Sequence, residues 1–286
     1  MPIRVVCFLC AFLLTVLSRL AAAGVPYSLP LPPPGSIPTA EQIIEQVYFV
    51  NHFYALKNVA IEMDGRTVTV IVTRAAGEQA TTNTVKRYLN NNYDDGVIKA
   101  KDLAIFTSGN LRGTGMLVTD FVDDQQSQSY SIWLPALRKV RRFAQPAHED
   151  AWGGTDFTFD DVTLRKPHHE SHEWLRTQPF GSCLSFMEIP ETERNWYMKP
   201  LPSAETCDHR DKTVHVVKSR SRFPQWWYEY RVSYIDSQTF ADYRTEYFKD
   251  GKMVKIIDRD WQKSADQPRN HCRGTQRGVH LQHQQG

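Results

Sequence analysis

The chain has 286 residues, with 34 lysines and arginines against 32 acids, and ten histidines. So balanced a charge excludes nucleic acid as an expected partner, because that affinity comes from neutralising many phosphates with cations.

The first residues read as an export signal. Arg4 precedes an apolar run from Val5 to Leu17 broken by Thr15, and Ala21-Ala22-Ala23 stands before Gly24. These are the charged, apolar and cleavage regions of a signal peptide in order, assigned to residues 1–23. Cleavage there removes Arg4 and Arg19 and no acid, leaving 32 bases, 32 acids and no formal charge. The run is shorter than the roughly 18 residues of a membrane span, and no later stretch is longer or more apolar. Neither Cys7 nor Cys10 follows a lipobox, so no attached lipid is expected. The expectation is a soluble periplasmic protein whose membrane contact is transient.

Residues 24–38 (GVPYSLPLPPPGSIP) are too rich in proline for helix or central strand and predict an extended leader. Thr39 and Gln42 fit a capping box, and Ile43, Val47, Val50 and Tyr54 recur at helical spacing over TAEQIIEQVYFVNHFY. The period then changes to two. Strands are predicted at RTVTVIVTR, NTVKRYL, KDLAIFT, TGMLVTDFV, SYSIWL and RKVRRFA, and further on at DFTFDDV, SCLSFMEI, TVHVVKS, WWYEYRVSYI, TFADYRTEYF and KMVKIIDRD. Asp64-Gly65, Asp95-Gly96 and Asp123-Asp124 mark turns, and Asp250-Gly251 marks a two-residue hairpin. The pattern predicts a mainly β chain of α+β type, an antiparallel sheet or barrel, with residues 39–264 as one domain and 265–286 as a flexible polar tail.

Cys183, Cys207 and Cys272 remain after cleavage. The first two flank a polar, proline-rich loop and are the expected disulfide in an oxidising compartment; three separate thiols are the alternative.

RGTGMLVTDF, SYSIWLPALRKVRRFA and GGTDFTFDD, with TAEQIIEQV before them and EYFKDGKMVKI after, resemble the outer-membrane lipoprotein-sorting family, a LolA-like branch of the LolA/LolB carriers. The likeness spans most of residues 39–260. It does not extend to the insert EIPETERNWYMKPLPSAETCDHRD or to the histidine-containing tail. The resemblance implies a curved, half-open antiparallel β-barrel closed by one or more helices over an apolar cavity that holds acyl chains. Such a carrier needs no catalytic group, since each buried methylene contributes roughly 0.8 kcal/mol.

Three constellations invite a functional reading. In WWYEYRVSY, strand alternation places Trp226, Tyr228, Tyr230, Val232 and Tyr234 on one face, which is either the lining of that cavity or an ordinary core beneath a helix. Arg138, Lys139, Arg141 and Arg142 form the densest basic run. It either meets anionic headgroups or an acidic partner, or is a solvated strand face paired with Asp156, Asp160 and Asp161. His168, His169, His172, Glu170 and Glu173 crowd KPHHESHEW, but H-E-S-H after a proline lacks the spacing of a zincin and reads as a solvated loop. The aspartates are badly spaced for a glycosidase pair, and neither a nucleophile elbow nor a phosphate-binding glycine loop is present.

The sequence therefore predicts a carrier without enzymatic activity, cofactor or metal, whose partners are lipid or lipoprotein acyl chains, an inner-membrane donor and an outer-membrane acceptor. The alternative is an interaction partner of an inner-membrane exporter of RND or MMPL type that carries no lipid itself.

Overall fold

The computed structural model describes residues 29–30, 33, 35–62, 69–199, 204–263 and 274–282. The signal peptide lies outside the described residues. α1 (Ala40–Asn51) begins where expected: Thr39 Oγ1 accepts from the Gln42 amide while Gln42 Oε1 accepts from the Thr39 amide, which satisfies two donors that a helix start leaves open. Of the leader, Pro30 is tied down, its carbonyl accepting from Gln46 Nε2 at 2.8 Å.

Among the described residues every strand pairing after α1 is antiparallel. β1 (Asn58–Ile61), β2 (Thr69–Thr73), β3 (Thr81–Asn90), β4 (Ile98–Phe106), β5 (Gly115–Phe121), β6 (Ser129–Leu134) and β7 (Lys139–Phe143) form the first sheet, in the order β1-β3-β4-β5-β6-β7, with β2 also on β3. β8 (Glu170–Pro179) opens the second half. β9 (Leu184–Ser185) and β10 (Glu205–Thr206) make a short ribbon, at whose ends Cys183 and Cys207 are joined in a disulfide. β11 (Thr213–Ser221), β12 (Tyr230–Asp236), β13 (Asp242–Lys249), β14 (Lys252–Lys263) and β15 (Gly274–Gln282) complete a second sheet in the order β15-β14-β13-β12-β11-β8. The sheets do not close on themselves, so the architecture is a curved, half-open one. The β13–β14 turn uses Asp250 and Gly251, both at positive φ, as a two-residue hairpin requires.

The core lies between α1 and the second sheet. Ile43, Ile44, Val47 and Val50 are buried against a cluster that includes Val214, Val216, Val217, Ile235 and Tyr243. The two halves are also tied by polar contacts. Glu193, in the insert after β9, accepts from Arg74 Nη2 at 3.1 Å and from the Ala80 amide at 2.9 Å, and Asn195 Nδ2 donates to Thr82 Oγ1.

Several expected strands differ. DFTFDDV instead turns through one wide helical turn at Asp160–Leu164, because its aspartates are drawn to buried cations rather than to a neighbouring strand. SCLSFMEI shortens to β9, held between a disulfide and Pro190. The histidine stretch read as a loop continues from a single turn at Pro167–His169 into β8. Within the stretch read as a tail, Gly274–Gln282 pairs with β14.

Candidate functional site

β12 decides the character of the interior. The expected strand started at Trp226, whereas pairing starts at Tyr230, and the buried side chains are Arg231, Ser233 and Ile235. Tyr230, Val232 and Tyr234 stand on the other face and are half-buried. Tyr230 stacks on Phe248 at 4.8 Å between centroids, while Val232 and Tyr234 pack against the main apolar cluster, Tyr234 meeting Phe180 at 5.9 Å. Trp226 and Tyr228 precede the strand, Tyr228 being buried with Tyr247 and Ile257. The five residues proposed as one lining are therefore divided among three environments. Reading the phase from side-chain apolarity fails here because an arginine with a buried carboxylate partner can occupy an inward position.

That partner is Glu170 on β8. Its carboxylate accepts from Arg231 Nε at 2.9 Å and from the Tyr228 hydroxyl at 2.9 Å, and Arg231 Nη1 donates to Ser233 Oγ at 2.8 Å. Burial pushes the Glu170 carboxyl up, but the guanidiniums of Arg231 and Arg165 outweigh it and hold the group down at about 2. Beside this pair, Arg165 donates to Asp160 Oδ2 at 2.8 Å and to the Tyr247 hydroxyl at 3.1 Å. Tyr247 donates to Asp161 Oδ1 at 2.9 Å, and Lys255 donates to Asp161 as well. Burial opposes ionisation of Asp161, yet Lys255 and Arg165 hold its carboxyl far below the usual carboxylate range. Part of the interior of the second sheet is thus filled with paired charge, beside the apolar cluster under α1.

The open space lies elsewhere. A cavity of about 520 Å³ sits where α1 meets the ends of both halves. Its apolar part comes from Leu29, Tyr48, Phe49, Tyr54, Val122 and Pro167, and its polar part includes Glu41, Glu45, Lys99, Asp124, His168 and Arg222. None of Trp226, Tyr228, Tyr230, Val232 and Tyr234 lines it, although Glu170, which Tyr228 holds, does. Tyr48 and Tyr54 meet hydroxyl to hydroxyl at 3.3 Å, and burial raises the pKa of both. Lys99 pairs with Asp124 at 2.6 Å, with Lys166 on the same carboxylate at 3.3 Å. His172 offers Nε2 to the Pro167 carbonyl at 2.9 Å and Nδ1 to Ser219 Oγ at 2.9 Å. A carbonyl can only accept, so Nε2 carries the proton and a neutral ring satisfies both contacts; burial lowers its pKa accordingly. Behind the cavity, His52 stacks on Tyr54 at 5.3 Å, and burial lowers its pKa too.

The cavity residues could have been glimpsed in the helix itself. Tyr48 and Phe49 fall off the stripe of Ile43, Val47 and Val50, leaving α1 apolar on more than one side, a mark of a helix with two buried contacts. Nothing local signals Val122, Lys99 or Arg222, which reach the cavity only through the meeting of the two halves.

The basic run starts at Arg138 in the turn and continues along β7, which among the described residues pairs only with β6 and forms an edge of the first sheet. All five side chains of β7 are exposed. Among the described residues, no ion pair joins Arg138, Lys139, Arg141 or Arg142 to a carboxylate, and the expected partners Asp160 and Asp161 are engaged by Arg165 and Lys255.

Fold and cavity together define a half-open antiparallel shell closed by a helix. The chain is similar in structure to a domain from Vibrio parahaemolyticus described as an outer membrane lipoprotein-sorting protein, at 15% identity and a TM-score of 0.56, over 86% of this chain and 93% of that one. It is similar to a DUF1329 family protein from Desulfovibrio piger at 14% identity and a TM-score of 0.53, over 78% of this chain and 81% of the other. A LolA superfamily protein from Nitrosomonas europaea aligns over 84% of each chain at 13% identity and a TM-score of 0.48. A family model described as "-like: Uncharacterized protein" matches residues 99–201, and no curated protein matches the sequence. The fold is thus the one shared with the lipoprotein-sorting domain and the DUF1329 protein.

Proposed function

We propose that this protein is a periplasmic, non-enzymatic carrier that holds an acyl chain of a lipid or lipoprotein in the cavity beneath α1 and moves it towards the outer membrane. The observation that carries this reading is the cavity itself: an apolar floor of Phe49, Tyr54, Val122 and Leu29 under a rim of charged side chains. That division suits an amphiphile, whose chain gains from burial while its headgroup stays among polar side chains. Its volume lies within the roughly 300–1,000 Å³ of small-molecule sites and suits one chain better than several. The structural likeness to a lipoprotein-sorting domain and the export signal expected from the sequence support this reading.

One observation favours a second reading. The ion pairs filling part of the interior of the second sheet leave less apolar space than a carrier of several chains would need, as expected of a partner of an inner-membrane exporter that carries no lipid. Organic extraction of the purified protein followed by mass spectrometry separates the two. A co-purifying lipid in stoichiometric amount supports the carrier, and a lipid-free protein that also fails to bind a fluorescent fatty-acid analogue supports the exporter partner.

A further inference from the structure

We propose that the β6–β7 hairpin is a membrane-docking element that seats the protein reversibly on an anionic bilayer surface. The inference rests on the hairpin's exposure and charge and not on what the cavity contains. Its turn runs Pro135–Leu137 into Arg138, which takes a left-handed conformation at φ 47°. Three large apolar side chains near that turn are open to solvent, Trp133 at 41%, Leu137 at 53% and Val140 at 59%, and a fourth, Phe143 at 48%, lies at the far end of β7. Arg138, Lys139, Arg141 and Arg142 alternate with them, and among the described residues none of these cations meets a carboxylate. The whole chain carries a formal charge of only +2, so this is a local concentration and not a general basicity.

A bland account is that the charges guard a sheet edge against pairing with other chains. Basic side chains alone would serve that end, and four exposed apolar side chains work against it. The mixture of exposed apolar and basic side chains favours a bilayer over an acidic protein. Trp133 lies directly opposite Val140 and both point to one face of the hairpin, whereas Phe143, opposite the buried Tyr130, belongs to the other face. Leu137 sits at the tip. β6 also pairs with β5, whose first residue Gly115 lies opposite Trp133, so the end of β6, the turn and β7 form a free edge of the sheet at which a bilayer interface takes apolar side chains and cations together. Tryptophan favours that interface, and flanking cations are drawn to anionic headgroups there.

Vesicle co-sedimentation of the full-length mature protein tests this, using phosphatidylglycerol–phosphatidylcholine mixtures against phosphatidylcholine alone. Two variants are needed, Arg138→Gln/Lys139→Gln/Arg141→Gln/Arg142→Gln and Trp133→Ser/Leu137→Ser, each with a thermal melt to show that it is folded. The expected result is binding to anionic vesicles only, weakened by salt, and reduced on the order of a hundredfold by the charge variant at low salt. The apolar variant should also bind at least about tenfold more weakly. Absence of binding by the wild type overturns the proposal and leaves an acidic protein as the occupant. Loss with the charge variant alone overturns the seating of the apolar side chains. A Val122→Trp variant that no longer takes up a fatty-acid analogue should still bind vesicles, so failure of the carrier function and failure of docking are told apart.

Discussion

Glu170 stands where three demands meet: it ends the turn after Pro167, starts β8, and anchors both Arg231 and Tyr228. Removing one member of a buried ion pair leaves the other charge uncompensated, typically at a cost of about 3–5 kcal/mol. Arg231→Met should therefore lower the urea unfolding free energy by roughly that amount, whereas adding Glu170→Met to it should recover much of the loss. A single variant as stable as the wild type would show that Glu170 has another partner. The pair also fixes a pH response. Glu170 is held at about 2 in the folded protein against 4.5 when unperturbed, so its contribution is present above pH 4.5 and is lost as the pH falls towards 2. His169 acts in the same direction at higher pH. Burial, with the neighbouring His168 and His148, lowers its pKa to about 4 from 6.5, so the unfolded chain takes up a proton first and stability declines between pH 6.5 and 4. Urea midpoints measured across that range should fall on acidification, and His169→Gln should flatten the decline. An unchanged slope would place the acid sensitivity on the other lowered histidines, His52, His172 and His215.

At the level of elements, the insert between β9 and β10 shows why a polar loop can hold shape. It buries Met198 and Ile189 but has little else to pack, and the Cys183–Cys207 bond closes it across 24 positions. In the chain-entropy picture such a closure stabilises by about 3 kcal/mol. Thiol counting on denatured, unreduced protein without residues 1–23 should find one reactive cysteine, and reduction should lower the melting temperature; three reactive thiols would refute the bond. Because Glu193 and Asn195 in this insert hold Arg74, Ala80 and Thr82 of the first sheet, reduction should also loosen the link between the halves. α1 was legible residue by residue, since its cap and its stripe are local. The strands were legible as strands, but which face of β12 carries the most buried side chains was not. Its tyrosines look like a core, and its inward Arg231 looks like a surface residue, until Glu170 is seen 61 positions away.

For the whole molecule, the decisive test concerns the cavity. Val122 lies in the segment just after β5 and its backbone amide donates to the Val97 carbonyl, a bond that substitution of the side chain preserves. Val122→Trp should fill the cavity and reduce saturable binding of a fatty-acid analogue by at least about tenfold, equivalent to about 1.4 kcal/mol. Tyr230→Ser, outside the cavity lining, should leave that binding unchanged. Equal binding by Val122→Trp would move the ligand elsewhere. The amino-acid sequence by itself determined what is set by near neighbours: the helix start, the alternation of the strands, the Asp250-Gly251 hairpin and the clustering of charge on β7. Only the tertiary structure decided which strand face is inside, where open space remains and which cations stay unpaired. A buried charge is tolerated only with its partner, and that partner comes from another element; likewise a cavity exists only where walls distant in the chain fail to meet. Neither condition can be read from a window of adjacent residues.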